Sequence, residues 1–278
     1  MPYVRKGDLS SFQILIPALP DEQQKIARVL GKIQQAIERQ DKIIEATKNL
    51  KKSLMQKLFT EGIRHTEFKE TEIGQIPKNW EVVRLGNVGD FQYGYTASAK
   101  EKPVGPKFLR ITDIKSEARI FWGEVPYCTI KENELSKYKL VDGDILVARI
   151  GATTGKTCII KNSPEAVFAS YLIRFQVKRS DDALPLFLYY FTNSPIYWDQ
   201  INANKEGKLK KGVSASFLKV LRIPVPSLPE QQEIAHILST VDKKIEAEEK
   251  RKSTLKELFK TILHKLMTGE IRLKEIEL

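Results

Sequence analysis

The chain has 278 residues, with 46 lysines and arginines against 35 aspartates and glutamates, and its formal charge at pH 7 is +11. Hydrophobic residues make up 41% of it, so the chain can bury a substantial core and is not intrinsically disordered. No uncharged apolar run is long enough to span a bilayer, and the first twenty residues lack the cleavage site of a secretory signal. We therefore expect a cytoplasmic protein. The positive charge favours an acidic partner, nucleic acid first, although solubility alone also explains it.

The N-terminal part of the chain is repeated near its C-terminus. Residues 22–64 align without a gap on residues 230–272, with 17 identities in 43 positions. The identities include the triplet Glu-Gln-Gln that opens each copy and the pair Ile-Arg that closes it, and a Pro-x-Leu-Pro segment precedes both copies. Shared composition would not preserve that order, so the pattern indicates an internal duplication.

Each copy predicts one long helix, because a proline precedes it and acidic residues occupy its first turn. Apolar residues recur at alternating spacings of four and three, which is typical of a coiled-coil seam, and polar residues interrupt it in mid-helix. The predicted seam residues are Ile26, Leu30, Ile33, Ile37, Ile234, Leu238, Val241, Ile245, Leu255, Phe259, Ile262 and Leu266. We expect the two helices to pack antiparallel. Pairing with helices of another protein is the alternative, and both arrangements can coexist.

The residues between the two copies predict a mixed α/β domain with a net charge of +6. Short alternating or apolar runs favour strands, and the segments 184–192 and 195–201 favour helices. The predicted strands are 80–85, 108–114, 144–150, 157–160 and 171–177.

No segment carries a convincing catalytic motif. The run Gly151–Thr157 resembles a phosphate-binding loop, but it has three residues between its glycines where the motif needs four, and a strand follows it. We expect a hairpin whose turn contacts phosphate. The three histidines are scattered, and Cys128 and Cys158 lie far apart, so we expect free thiols, no metal and no cofactor.

Basic, polar and aromatic residues in the predicted loops are candidates for DNA contact, because lysine and arginine bind phosphate while arginine and glutamine also read base edges. The candidates are Gln92, Tyr93, Tyr95, Thr96, Lys100, Lys102, Arg110, Thr112, Arg149, Thr153, Thr154, Lys156, Lys205, Lys208, Lys210 and Lys211.

The order of motifs resembles the specificity subunit of type I restriction-modification enzymes. The motifs are Ile-Pro-x-Leu-Pro-x-Glu-Gln-Gln-x-Ile-Ala at 16–27, the long helix, Gly74–Trp80, Gly143–Val147, and the second Pro-x-Leu-Pro-Glu-Gln-Gln helix. The resemblance implies a mixed α/β target recognition domain at 65–229 between two conserved spacer helices, 21–64 and 230–272, and these are the helices that we expect from their periodicity to form an antiparallel coiled coil. It also implies that residues 1–20 are the terminal strand of another recognition domain, and it leaves 273–278 as a tail.

In function, the resemblance implies a non-catalytic subunit that reads double-stranded DNA and docks methyltransferase subunits and, through them, the restriction subunit. A full subunit of this family has two recognition domains, so this chain looks like a half-subunit that reads one half of a bipartite target. Two copies related by a two-fold axis would read an inverted repeat, which makes a homodimer the expected assembly.

Two other readings stay open at this stage. In one the chain is a structural coiled-coil adaptor whose central domain merely decorates the helices. In the other, less favoured, it is a stand-alone DNA-modifying enzyme, which would need a metal cluster or a cofactor loop.

Overall fold

The computed structural model describes residue 17 and residues 19–115, 118–178, 183–205 and 212–273. The predicted strand within 1–20 therefore lies almost wholly outside the described residues, as do Lys208, Lys210, Lys211 and most of the predicted tail. The side chain of Lys205 is not described either.

Helices and strands are interspersed along the described chain. The helices are α1 (Pro20–Thr60), α2 (Leu85–Val88), α3 (Glu132–Tyr138), α4 (Pro185–Phe191), α5 (Pro195–Lys205), α6 (Ala215–Val220) and α7 (Leu228–Met267). The strands are β1 (Phe68–Thr71), β2 (Gly74–Pro77), β3 (Glu81–Arg84), β4 (Gly89–Tyr93), β5 (Lys107–Leu109), β6 (Ile145–Ala148), β7 (Thr157–Ile159), β8 (Ala166–Phe168), β9 (Leu172–Val177) and β10 (Arg222–Val225).

The chain divides into two compact units. Of the described residues, those up to 50 and those from 241 onward form one, here called the helical unit, and those between 51 and 240 form the other, the central unit. Both division points fall inside a long helix, α1 or α7. The domain boundaries 65 and 229 expected from the sequence do not coincide with these points, and they stay an interpretation of the motifs.

In the helical unit, α1 and α7 pack antiparallel. Glu22, in the first turn of α1, binds Arg272 beyond the end of α7 at 2.9 Å, and Lys48 binds Glu249 at 3.0 Å. Residue numbers thus rise along one helix as they fall along the other. Burial along α7 follows the 4-3 spacing of the sequence: every seam position from Ile234 to Leu266 is buried or half-buried, and most positions between are exposed.

The polar interruption of the seam is also paired. Gln40 donates to Glu248, which is the position equivalent to Gln40 in the duplication, and both side chains are buried. Lys252 pairs with Asp41 in the same stretch. Hydrogen bonds from Lys244 and Gln40 hold the pKa of Glu248 below its ordinary value. The seam therefore contains a satisfied polar layer in mid-helix.

In each copy, the glutamine of the repeated Glu-Gln pair forms a hydrogen bond that stabilises the start of the helix. Gln23 donates to the carbonyl of Pro17 at 2.7 Å, and Gln231 donates to that of Pro226 at 3.0 Å. In the duplication Pro17 and Pro226 are equivalent residues. The two copies thus share a hydrogen bond as well as a sequence.

Glu230, the residue before Gln231, links the first turn of α7 to the segment that follows α1. Its carboxylate accepts hydrogen bonds from the backbone N–H of Ile63 at 2.9 Å and from Nε1 of Trp80 at 3.0 Å. The Nε2 atom of His65 lies 2.7 Å from the same carboxylate. Glu22, the equivalent residue of the first copy, binds Arg272.

The central unit is a mixed α/β domain built on an antiparallel sheet in the order β4-β9-β6-β7. Two further antiparallel pairs, β1-β2 and β10-β3, and one parallel pair, β5-β8, complete the described strands. A core of buried apolar residues lies between the sheet, α4, α5 and the central-unit parts of the long helices. Phe59 near the end of α1 is fully buried there, with its ring 5.3 Å from that of Phe187 and 5.9 Å from that of Phe191.

The strand predicted at 108–114 was wrong over its second half. The strand β5 ends at Leu109, and residues Ile111–Asp113 form a 3-10 turn. The cause is a local hydrogen bond, because the Asp113 carboxylate accepts from the backbone N–H of Arg110 at 2.9 Å and so competes with strand pairing. The other predicted strands and both predicted helices are present, with slightly different ends.

The two cysteines are free thiols in different apolar clusters. Burial raises the pKa of Cys128 to about 11 and that of Cys158 to about 12, so neither is a reactive thiolate near neutral pH.

Candidate nucleic-acid interface

The hairpin predicted around Gly151–Gly155 is present. Strands β6 and β7 pair antiparallel on either side of the turn, with Leu146 opposite Cys158. Gly155 has φ of 89°, and a Cβ there would lie 2.9 Å from the Cγ2 atom of Ile201, so both conformation and space require glycine. The Tyr197 hydroxyl donates to the Gly155 carbonyl at 2.9 Å. Helix α5 therefore holds the turn in place.

The predicted contact residues of this turn differ in exposure. Thr154 is 3% exposed, and its hydroxyl donates to the Gly151 carbonyl at 2.7 Å, so this side chain shapes the turn. Thr153 is half-buried, and Lys156 is exposed.

Arg149 lies directly before the turn and stacks on Tyr93. Its guanidinium carbon is 4.8 Å from the centre of the Tyr93 ring. The Tyr93 hydroxyl accepts a hydrogen bond from the backbone N–H of Ala215 at 3.0 Å. The Val213 N–H donates to the Arg149 carbonyl at 2.9 Å. The structure thus brings together two predicted residues from distant parts of the sequence, next to the point where the chain leaves the lysine-rich segment 205–211.

Two exposed apolar residues flank Arg149, and the sequence reasoning missed both. Tyr171 is 54% exposed, and its carbonyl accepts from the Arg149 N–H at 3.0 Å, while Ile150 is 39% exposed. The predicted strand 171–177 includes Tyr171, but β9 begins one residue later. The only signal in the sequence that could have identified Tyr171 is its position at the junction of a turn and a strand. We call Tyr93, Arg149, Ile150, Tyr171 and the turn 151–156 the Arg149 surface.

Arg110, another predicted contact, is occupied by an internal ion pair. Its Nε and Nη2 atoms donate to the two carboxylate oxygens of Asp113 at 3.0 and 2.8 Å. This hydrogen bonding raises the pKa of Arg110. Thr112, in the same 3-10 turn, is exposed.

Gln92 also bonds within the protein. Its side chain accepts from Arg174 and donates to the Lys137 carbonyl at 3.1 Å. Arg174 in turn pairs with Asp144 at 3.4 Å, and both side chains are buried. Burial raises the pKa of Asp144 against the opposing effect of its hydrogen bonds and of Arg174. Gln92 therefore belongs to a polar network behind the sheet edge.

The remaining predicted residues lie along the segment after β4. Tyr95 packs against Tyr138 with ring centres 5.2 Å apart. The pKa of Tyr95 is raised mainly by desolvation and secondly by the nearby carboxylate of Glu134. Lys100 donates to the Thr129 hydroxyl at 3.2 Å, and Thr96 and Lys102 are exposed.

Among the described residues, no group of three or more histidine, cysteine, aspartate or glutamate side chains is placed to hold a metal ion. No helix in the described ranges is long and apolar enough to cross a membrane.

Comparisons with known proteins agree on one family. The family model for the type I restriction modification DNA specificity domain matches residues 77–257. The chain is 32% identical over 284 residues to the type I restriction enzyme MjaVIII specificity subunit of Methanocaldococcus jannaschii, covering 99% of this chain and 66% of that protein. It is 22% identical over 285 residues to the EcoKI specificity subunit of Escherichia coli, covering 96% of this chain and 60% of that protein.

Solved structures show the same fold. The HsdS subunit from Thermoanaerobacter tengcongensis matches 97% of this chain with a TM-score of 0.56 at 18% identity, over 64% of its own length. The type I restriction-modification S subunit from M. genitalium matches 95% of this chain with a TM-score of 0.60 at 17% identity, over 65% of its length. The chain spans about two thirds of these proteins. It belongs to the family of type I restriction-modification specificity subunits.

Proposed function

We propose that this chain is a non-catalytic, cytoplasmic DNA-specificity subunit whose recognition domain, residues 65–229, reads one half of a bipartite double-stranded target. The observation that carries the proposal is the Arg149 surface, which places a stacked arginine, an exposed lysine and exposed apolar side chains on a domain with a net charge of +6. Such a surface suits both phosphate contact and base contact. Family membership supplies the type of system.

Two copies of the chain would present two such surfaces. A homodimer with two-fold symmetry reads an inverted repeat, because each copy then contacts the same half-site in opposite orientation. The second recognition domain that the resemblance leads us to expect would in this way be supplied by a second chain.

The helix pair is the proposed spacer and dock. Helix α1 has 41 residues and α7 has 40, and at 1.5 Å per residue each is about 60 Å long. In the helical unit, Ile43, Leu50, Leu258 and Leu263 are between 36% and 53% exposed. We assign these residues to the modification subunits, through which the restriction subunit joins the complex.

The decisive experiment is methylation mapping. The chain is co-expressed with the modification subunit of a type I system, and methylated sites are sequenced across a genome. We expect one bipartite motif with related halves, and none when the chain is omitted. Methylation by the purified chain alone, with DNA and the methyl donor, would establish a stand-alone enzyme instead.

The spacer role has its own test. Seven residues inserted after Glu45 in α1 and seven after Ala247 in α7 preserve the seam and lengthen the pair by about 10 Å, or about 3 base pairs. We expect a longer gap between unchanged half-sites. Altered half-site bases with an unchanged gap would exclude the spacer role.

The lysine-rich segment tests DNA binding as opposed to an adaptor role. Replacing Lys208, Lys210 and Lys211 by alanine should weaken binding on all sequences and lower the slope of log affinity against log salt by up to about 3. Unchanged binding and slope would favour the adaptor or another DNA-binding face.

A further inference from the structure

We propose that Arg149 reads a guanine in the target half-site and that Tyr93 is the positioning residue that holds its guanidinium ready. The inference rests on the proposed function and names a specificity-determining residue within it.

The first argument compares the side chain of Arg149 with those of two other arginines in the recognition domain. Arg110 is engaged by Asp113, and Arg174 is buried within its polar network. Arg149 is half-buried, and within the described part of the chain its guanidinium makes a ring contact but no hydrogen bond or ion pair. A cation withdrawn partly from water with all five donors available is suited to an acceptor from outside the protein.

The second argument is that Arg149 is fixed before any ligand arrives. Its N–H donates to Tyr171 and its carbonyl accepts from Val213, so the backbone is held on both sides. The ring beneath it is fixed in turn, because the Tyr93 hydroxyl accepts from Ala215. A pre-oriented guanidinium fork loses little rotamer entropy on binding, which favours a bidentate contact with a planar acceptor pair.

The third argument separates a base from a phosphate. Guanine presents O6 and N7 as adjacent acceptors in the major groove, and bidentate arginine is the commonest specific contact to them. Lys156, on the same turn, is exposed and is the side chain better suited to phosphate. The exposed Tyr171 and Ile150 beside Arg149 suit apolar base edges such as the thymine methyl group, and not charged phosphate oxygens.

The test is a selection from a randomised duplex DNA library with the full chain co-expressed with a type I modification subunit. Arg149→Ala and Arg149→Lys are compared with the wild type, and Arg84→Ala is the matched control because it removes the same charge from an exposed position on β3. We expect Arg149→Ala to lose the preference for guanine at one position per half-site and to bind the wild-type site about 5- to 150-fold more weakly. Non-specific binding should change little, and lysine should not restore the preference.

Tyr93 variants test the positioning role. Tyr93→Phe keeps the ring but removes the hydroxyl that holds it, so it should weaken the guanine preference less than Tyr93→Leu, which removes the ring. Neither variant should replace the preference by another. Circular dichroism and thermal unfolding of each variant establish that the fold is intact.

The outcomes are distinct. If Arg149→Ala weakens cognate and random DNA equally and lowers the salt slope, Arg149 contacts phosphate and the inference fails while the proposed function stands. An unchanged selected motif also overturns the inference alone. If the wild-type complex selects no motif, both the inference and the proposed function fail.

Discussion

Removing the Glu230 carboxylate should destabilise the central unit far more than removing an ordinary acidic residue from the same helix. Glu230→Ala leaves the N–H of Ile63 and the Nε1–H of Trp80 without their acceptor. Trp80 is fully buried and the Glu230 side chain is 12% exposed, so water cannot readily replace the lost oxygen atoms. Each stranded donor costs about 1 to 3 kcal/mol, and we expect a total loss of about 2 to 6 kcal/mol.

Two further variants isolate the hydrogen bonds from the charge. Glu233→Ala removes the same charge three residues further along α7, from an exposed position without a hydrogen bond or ion pair in the described part of the chain. It should cost no more than about 0.5 kcal/mol. Glu230→Gln retains one acceptor oxygen but places its amide NH2 against one of the two N–H donors. Its cost should therefore lie between those of Glu233→Ala and Glu230→Ala.

The measurement is urea unfolding followed by tryptophan fluorescence. All three tryptophans lie in the central unit, so the signal reports its unfolding and not that of the helical unit. Equal unfolding free energies for Glu230→Ala and Glu233→Ala would refute the reasoning, because the carboxylate would then act only as a charge near a helix start.

Three other predictions, one with its own control variant, test the packing and electrostatics. Phe59→Ala should cost about 3 to 5 kcal/mol in the same assay, because a fully buried ring is replaced by a cavity. Asp144→Asn removes the carboxylate that pairs with the buried guanidinium of Arg174, and it should cost about 3 to 5 kcal/mol. Asp90→Asn removes one partner of an exposed ion pair and should cost at most about 1 kcal/mol. Because the pKa of Glu248 is lowered in the folded protein, its ionised carboxylate stabilises the helix pair fully at any pH above its ordinary pKa of 4.5. This stabilisation is lost as the pH falls through the lowered pKa of the folded state. On acidification to pH 3, circular dichroism should therefore show a larger loss of stability for the wild type than for Glu248→Gln, and identical pH profiles would contradict it.

The helices and the hairpin could be predicted from the sequence because their signals are local. The 4-3 spacing of apolar residues marks the face of α7 that is buried, and the count of residues between Gly151 and Gly155 was enough to reject a nucleotide-binding loop. The strand predicted through Thr112 failed because one aspartate closes a turn on Arg110, and an alternating apolar pattern does not register such a bond.

The candidate site was predictable only in part, because non-local contacts decide which polar side chains remain available. Gln92 and Arg149 looked equivalent in the sequence as groups able to read bases. Gln92 is engaged by Arg174, 82 residues away, whereas the Arg149 guanidinium stacks on the ring of Tyr93, 56 residues away, and bonds to no described side chain. No local pattern distinguishes these outcomes, so composition and motif could name the candidates but could not rank them.

The residues that make the family recognisable are not the ones that we expect to read DNA. Glu230 and Gln231 of the repeated motif bond to the protein's own backbone and side chains, and Gln23 repeats the bond of Gln231 at the start of α1. We expect the bonds of Glu230 and Gln231 to tolerate little change whatever the target, because their partners Trp80 and Pro226 are buried. The guanidinium of Arg149, in contrast, makes no hydrogen bond or ion pair with a described residue, so its replacement need not disturb the fold. Substitutions in the motif should therefore change the unfolding free energy at constant sequence preference, and substitutions on the Arg149 surface should do the reverse.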